Sequence, residues 1–197
     1  MNKLILIILS VFLLFSVSCK ENLPLDKDLT KKSYVLINQD SVEVIFPKNI
    51  IGQITVMGFI YTHCPDICPM TTHNMYLTEK VLKDEGIDDV KFVALSFDPE
   101  RDTPETLKNF AKIRNLDFNS WTLLTGEKNT IAELTKRFDV KAIKTDEIID
   151  EDGQPEYSMM HTDRISLIDT NGRLRKNYKG STLNIEEIVN DIKTLED

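Results

Sequence analysis

The apolar run at residues 54–62 (ITVMGFIYT) constrains the fold of this chain more than any other feature. Nearly continuous apolar residues, rather than alternating ones, are typical of a strand that is buried on both faces of a sheet. Residues 90–97 (VKFVALSF) form a second run of this kind. Because both faces of such strands must be covered, the two runs indicate a sheet between two outer layers.

The segments around these runs alternate between strand patterns and helix patterns. Thr103 is placed to cap a helix that begins with Pro104, and Thr130 with Glu133 forms a capping box for the next helix. Asn184 opens the last helix. The other predicted elements are a hairpin at 34–37 and 42–46, a helix at 71–85, a strand at 121–124 and a hairpin at 164–168 and 174–178. This order predicts an α/β fold, a three-layer sandwich with a central mixed sheet.

The N-terminus has the layout of a removable export signal. Lys3 is followed by residues 4–17, in which only Ser10 and Ser16 are polar. A helix that spans a membrane needs about 20 apolar residues. The run stops short of that length, so a cleaved signal is favoured over a retained transmembrane anchor.

Ser16 and Ser18, directly before Cys19, resemble a bacterial lipobox, although Ser16 stands where leucine is usual. The resemblance implies that Cys19 is lipidated, and ordinary secretory cleavage is the alternative. We expect residues 1–18 to be a lipoprotein signal peptide, 19–32 a membrane tether and 33–197 one folded domain. The domain is then anchored to a bacterial membrane and faces the periplasm, an oxidising compartment in which thiols tend to form disulfides.

The charge of the chain excludes one class of partner. The 197 residues carry a formal net charge of −8, and loss of residues 1–18 removes one lysine and no acid, which leaves −9. Non-specific binding to nucleic acid needs a basic surface, so no nucleic-acid partner is expected. Residues 146–152 hold five acids but lack the regular ligand spacing of a calcium loop, so a solvated loop is preferred.

Two cysteines concentrate the chemistry at the end of the 54–62 run. Cys64 and Cys68 lie four residues apart where this strand meets the following helix, and the positive end of a helix dipole favours a thiolate. Residues so spaced on a regular helix have Cβ atoms about 5–6 Å apart, whereas a disulfide needs about 3.8 Å. A metal ion therefore spans the gap more easily than a disulfide, which requires backbone adjustment.

Three histidines are available to complete a metal site, and spacing alone does not choose among them. Each of His63, His73 and His161 is, taken singly, more often a surface or hydrogen-bonded residue than a ligand. Two thiolates with one imidazole suit Cu(I) and also hold Cu(II) or zinc. A closed zinc site needs a fourth ligand, and a cluster of the cysteines with His73 does not have a standard finger spacing.

Three blocks of sequence resemble the Sco/SenC family of copper-binding, thioredoxin-like proteins. They are residues 58–69 (GFIYTHCPDICP), 95–105 (LSFDPERDTPE) and 157–172 (YSMMHTDRISLIDTNG). The resemblance implies a thioredoxin-like fold with an extra N-terminal hairpin and an inserted hairpin. It also implies copper bound by Cys64, Cys68 and His161, with delivery to the copper-site subunit of cytochrome c oxidase. His63 and His73 then stay surface or hydrogen-bonded residues.

The chain departs from the family pattern at two methionines. Many relatives have acids at the positions of Met70 and Met160, so a proton or charge role of those acids does not carry over. Met70, Met159 and Met160 are soft donors for transient contact with Cu(I), although packing is the preferred interpretation. For Asp98 and Asp102, turn and capping roles are preferred over help with metal exchange.

The sequence supports a membrane-tethered copper chaperone and leaves an enzyme as the alternative. A thiol–disulfide oxidoreductase would use Cys64 and Cys68 to reduce the cysteines of an oxidase copper site, although redox motifs of this fold usually have two intervening residues rather than three. Other copper carriers or thiol reductants would then also be partners. A peroxide-reducing enzyme is disfavoured because the chain lacks the expected Pro-x-x-x-Thr-x-x-Cys motif. Cu(I) and Cu(II) are both compatible with the ligand set.

Overall fold

The computed structural model describes residues 23–65, 67–145, 147–149 and 155–196. The strands in this part of the chain are β1 (Lys27–Asp28), β2 (Tyr34–Asn38), β3 (Glu43–Phe46), β4 (Ile54–Ile60), β5 (Val90–Ser96), β6 (Trp121–Thr125), β7 (Ala142–Lys144), β8 (Ile148–Ile149), β9 (Pro155–Glu156), β10 (Met159–His161), β11 (Ile165–Ile168) and β12 (Arg173–Tyr178). The α-helices are α1 (Ile67–Asp84), α2 (Pro104–Ile113), α3 (Lys128–Arg137) and α4 (Ile185–Glu196).

The described strands form one large mixed sheet of eight strands in the order β1-β12-β11-β4-β5-β6-β2-β3. Strands β4, β5 and β6 are parallel, and the other pairings in this sheet are antiparallel. All seven residues of β4 are buried, as the continuous apolar run predicts. Helices lie on both sides of the sheet, so the predicted α/β sandwich is confirmed.

The predicted N-terminal hairpin is confirmed, since β2 pairs with β3 in an antiparallel register of Tyr34 with Phe46. The chain also folds before residue 33. Lys27 pairs with Leu174 of β12, and Leu29 is buried. Residues 27–31 of the predicted tether therefore lie against the edge of the sheet. The pairing with β12 and the buried side chain of Leu29 attach them there.

Two of the predicted helix starts are wrong. Helix α1 begins at Ile67 rather than at residue 71, because Pro69 is tolerated within a first helical turn, so Cys68 is already helical. Helix α3 begins at Lys128 and has no side-chain cap, which places Thr130 inside the helix instead of at its start. The other two caps are confirmed: Thr103 Oγ1 accepts from the backbone N–H of Thr106 at 3.2 Å, and Asn184 Oδ1 from that of Glu187 at 3.3 Å.

Close packing of α1 on the sheet depends on Gly58 in β4. A Cβ atom at this position would lie 2.5 Å from Sδ of Met75, which is fully buried on α1. Glycine therefore lets the helix approach the central strand closely.

The predicted signal peptide and lipid anchor are not covered by the structure. Residues 1–18 and Cys19 lie outside the described residues. Within the described ranges, none of the helices has both the length and the apolar character that crossing a membrane requires.

Candidate metal centre

The sheet topology brings together two segments that are distant in sequence. Strand β11 runs antiparallel to β4, and Ile165 at its start pairs with Gly58 near the end of β4. The residues just before β11 therefore meet the residues just after β4. Cys64 follows β4, Cys68 lies in the first turn of α1, and His161 lies at the end of β10.

The side chains of these three residues converge. Nε2 of His161 lies 4.0 Å from Sγ of Cys64 and 3.7 Å from Sγ of Cys68. All three donor atoms lie within 4.8 Å of one another, and both cysteines are free thiols. Bonds of about 2.3 Å to sulfur and 2.0 Å to nitrogen in a trigonal arrangement separate those two donors by about 3.7 Å. One metal ion therefore fits between them with little movement of the side chains.

The ring of His161 is oriented for this role. Its Nδ1 lies 3.2 Å from the carbonyl oxygen of Thr162, and a carbonyl oxygen only accepts hydrogen bonds, so Nδ1 donates. With the proton on Nδ1, the lone pair of Nε2 faces the two sulfurs. Histidines that bind metals are usually held in this way, by a hydrogen bond from the other ring nitrogen. The ring also packs against Phe97, with centroids 4.9 Å apart, and edge-on against Tyr61 at 5.8 Å.

The two thiols have different surroundings. Cys68 is fully buried, and this burial raises the pKa of its thiol far above the ordinary value, with a smaller contribution from Cys64. The expectation that the helix N-terminus favours a thiolate is therefore wrong for Cys68, because loss of hydration outweighs the dipole. The backbone N–H of Cys68 instead donates to Sγ of Cys64 at 3.3 Å. Cys64, with 9% of its surface exposed, is the thiol that solvent reaches.

The other histidines do not join the cluster. His63 is exposed, and its Nδ1 contacts the hydroxyl of Thr62 at 3.1 Å. His73 is also exposed and stacks on Tyr76. In the described part of the chain, the metal-ligand candidates that come together are the cysteines and His161.

The methionines near the site differ in exposure. Met159 packs against the core. Met70 is 46% exposed on α1 and Met160 is 67% exposed on β10, so the packing expected for them is not found. Both residues are exposed on the two elements that carry Cys68 and His161.

Asp98 opens the turn that leads to the capping residue Thr103, as expected, and Asp98 and Asp102 are also buried and make side-chain hydrogen bonds near the site. Asp102 accepts hydrogen bonds from the hydroxyls of Thr62 and Ser96, both at 2.5 Å, and so fixes the start of the loop that leads to Cys64. Burial raises the pKa of Asp102. Asp98 accepts from the hydroxyl of Tyr157 at 2.6 Å. Sequence reasoning missed the bonds of Thr62 with Asp102 and of Tyr157 with Asp98 because these residues are 40 and 59 positions apart.

Most of the predicted acidic loop at residues 146–152 lies outside the residues that the structure describes. Asp146 and residues 150–152 are not among the described residues. Residues 147–149 are exposed, and Glu147 pairs with Lys144.

The fold and the Cys-Cys-His cluster define a thioredoxin-like protein with a candidate centre for a soft metal. The SCO1/SenC family model matches residues 23–197. The chain therefore belongs to the SCO1/SenC family.

Three solved structures of relatives support this assignment. A SCO1/SenC family lipoprotein from Bacillus anthracis is 34% identical, with a TM-score of 0.74 over 88% of this chain and 98% of its own. Copper-bound ScoI of Bradyrhizobium japonicum is 30% identical, with a TM-score of 0.70 over 83% and 98%. BsSco, described as having a disulfide switch and as a member of the Sco family of cytochrome c oxidase assembly proteins, is 29% identical, with a TM-score of 0.70 over 87% and 95%.

Proposed function

We propose that this protein is a copper chaperone that binds one copper ion through Cys64, Cys68 and His161 and delivers it to the copper-site subunit of cytochrome c oxidase. The observation that carries the proposal is the convergence of the three donors, with His161 Nε2 3.7 Å and 4.0 Å from the two sulfurs. A relative with a solved structure holds copper, and another is described as a member of a family of oxidase assembly proteins.

The donor set favours copper over a structural zinc ion. Thiolates and imidazole are soft to intermediate donors, and the stability order of divalent metals places copper above zinc. A structural zinc site is usually closed by four protein ligands, whereas three converge here. With both thiols ionised and His161 neutral, the site carries a net charge of −1 with Cu(I) and zero with Cu(II), so charge excludes neither state.

Transfer to a partner is helped by the incomplete ligand shell. With three protein ligands, an incoming thiolate of the partner can add before one of the resident ligands leaves. Cys64 is the more accessible cysteine, so its sulfur is the ligand that a partner meets first. Cys68 is enclosed by the domain and retains the ion until the exchange is complete.

A second candidate function is the reduction of the partner's cysteines. It is favoured by the contact between the Cys68 N–H and Sγ of Cys64, and by the disulfide switch described for BsSco. The thiolate of Cys64 would attack the partner's disulfide, form a mixed disulfide and release one partner thiolate. The thiolate of Cys68 would then attack Sγ of Cys64 and release the second. The partner gains two electrons, and this chain ends as a Cys64–Cys68 disulfide that an external thiol must reduce.

We also propose that the protein is held at a bacterial membrane by lipid on Cys19, with the domain facing the periplasm. The pattern of residues 4–19 supports this location. A structural relative described as a lipoprotein supports it further.

Replacement of single ligands in cells that lack the native protein separates the two functions. His161→Ala removes the imidazole and keeps both thiols, whereas Cys64→Ser removes both the metal site and the redox pair. If delivery is the main function, both variants fail to support assembly of the oxidase copper site, measured by its optical and EPR signals. Normal assembly with His161→Ala and failure with Cys64→Ser would instead favour the reductase. His73→Ala, an exposed histidine outside the cluster, is the matched control.

A further inference from the structure

The strand that carries His161 is not part of the large sheet. In the described chain, β10 pairs with β7 alone, with Met159 opposite Lys144 and His161 opposite Ala142. The hydrogen bonds of the large sheet fix β4 and hence the loop of Cys64, but they do not fix β10. The pairing of β11 with β4 brings His161 near the cysteines, and its exact distance from them then also depends on other contacts of this hairpin.

Tyr157, four residues before His161, supplies such a contact. Its hydroxyl donates to Oδ1 of Asp98 at 2.6 Å, and Asp98 is buried just after β5. Arg101 donates through Nε to the other oxygen of Asp98 at 2.7 Å and through Nη1 to the carbonyl oxygen of Tyr157 at 2.9 Å. Both the side chain and the main chain of Tyr157 are thus bound to the loop between β5 and α2.

The aromatic ring of Tyr157 makes two further contacts. The guanidinium carbon of Arg101 lies 3.5 Å from the ring centroid, and Nζ of Lys144 lies 3.7 Å from it. Both distances are within the range of cation–π attraction. Because Lys144 belongs to β7, the ring joins the β7–β10 hairpin to the loop that follows β5.

We propose that Tyr157 is a positioning residue for His161. Its hydrogen bond to Asp98 and its contacts with Arg101 and Lys144 hold the β7–β10 hairpin so that Nε2 stays within reach of both sulfurs. This inference rests on the proposed copper binding, since it explains how the imidazole ligand is kept in place. A hairpin held in this way loses less freedom when the metal binds, so affinity is higher than for a mobile histidine.

The test uses Tyr157→Phe, which removes the bond to Asp98 but keeps the ring, and Tyr157→Leu, which removes both. Tyr178→Phe is the matched control, because the hydroxyl of Tyr178 also donates to a carboxylate, that of Asp191 at 2.7 Å, and Lys176 lies over its ring. Affinity for Cu(I) is measured by chelator competition under reducing conditions, in the wild-type and in the His161→Ala background. Replacing a residue that holds a metal ligand in place typically weakens metal binding by about 10- to 100-fold.

We expect a loss of about tenfold for Tyr157→Phe and a larger loss for Tyr157→Leu, with no change for Tyr178→Phe. In the His161→Ala background the effect of Tyr157→Phe should disappear, because the histidine through which it acts is gone. No loss in the wild-type background, or an equal loss in both backgrounds, would overturn the proposal.

A second measurement needs no metal. In the apo protein, NMR correlations of the His161 ring should shift and broaden in Tyr157→Phe but not in Tyr178→Phe, and unchanged signals would overturn the positioning role. If the wild-type protein binds no copper, the proposed function fails, while the ring signals still decide whether Tyr157 positions His161. If Tyr157→Leu does not fold, Tyr157→Phe carries the test alone.

Discussion

Asp163 accepts a hydrogen bond from the hydroxyl of Thr71 at 3.1 Å, which joins the segment of His161 to the helix of Cys68. The same carboxylate accepts from the hydroxyl of Ser181 at 2.6 Å and from the Ser181 N–H. His161 therefore lies between two attached residues, Tyr157 before it and Asp163 after it. The candidate metal centre is assembled by contacts between elements that are far apart in sequence.

Replacement of Asp163 by asparagine tests this connection. The amide lacks one of the two acceptor oxygens, so at least one donor of Thr71 or Ser181 loses its partner. We expect the free energy of unfolding to fall by about 1–3 kcal/mol, measured by urea denaturation. Asp139→Asn is the control, because its ion pair with Lys27 is largely exposed and should contribute less than about 1 kcal/mol. Equal stability of the Asp163 variant and the wild type would contradict the connection.

The burial of Cys68 predicts how metal affinity depends on pH. Because burial raises the pKa of this thiol, it is protonated in the apo protein near neutral pH, and a metal ion must displace the proton. Affinity for Cu(I) should therefore increase with pH, by about tenfold per pH unit for each proton released. Competition with a chelator of known protonation behaviour, between about pH 6 and 8, measures the slope. An affinity independent of pH would show that Cys68 is already ionised or is not a ligand.

Gly58 provides a test of the packing beneath the site. Gly58→Ala places a methyl group against Sδ of Met75 and should destabilise the domain by about 1–3 kcal/mol, the usual cost of overpacking. In the double variant Gly58→Ala/Met75→Ala the shorter side chain leaves room for the new methyl group. The double variant should therefore lose less stability than the two single variants lose when their losses are added. Additive effects in denaturant unfolding would mean that the two residues do not compete for the same space.

The apo domain should remain folded without metal. Its core includes Cys64 and Cys68, but most of it is made of other side chains from the large sheet and its helices, such as Phe59, Phe92 and Trp121. Circular dichroism should be unchanged after treatment with a chelator, and copper should then displace added zinc. Loss of the folded signal on chelation would indicate a structural zinc site, in which metal binding supplies the free energy of folding. Retention of zinc under excess Cu(I) would contradict the preference for copper.

A membrane anchor through Cys19 is tested by labelling. With Cys19→Ala, labelling by a fatty acid should be lost, and the protein should either remain unprocessed or be released from membranes. Unchanged labelling would show that the lipid is attached elsewhere.

The sequence predicted the local parts of this molecule better than the long-range ones. The buried strand β4 and the cysteine pair at its end follow from a continuous apolar run and a helix start, which are local patterns. Spacing alone did not assign His161, because it lies 93 residues after Cys68 and 97 after Cys64 and is brought near them by the pairing of β11 with β4. Resemblance to a family pointed to His161 as the third candidate ligand, and the topology explains why it lies near the cysteines.

Sequence patterns did not predict the shortest strands or the buried polar contacts. Strands β7 and β10 are three residues long, too short for a periodic signal. The bond between Tyr157 and Asp98 has no local signature, because turn chemistry explains an Asp-Pro pair equally well. The helix starts four residues before the predicted one, at Ile67, and Pro69 is compatible with its first turn.

The most direct test of the copper site is the stoichiometry and affinity of Cu(I) binding to the reduced protein. The wild type should bind one copper ion per chain, and His161→Ala should bind it about 10- to 100-fold more weakly, or weaker still. His73→Ala should match the wild type, because His73 lies outside the cluster. A wild-type protein that binds no copper, or a His161→Ala variant with wild-type affinity, would contradict a centre formed by Cys64, Cys68 and His161.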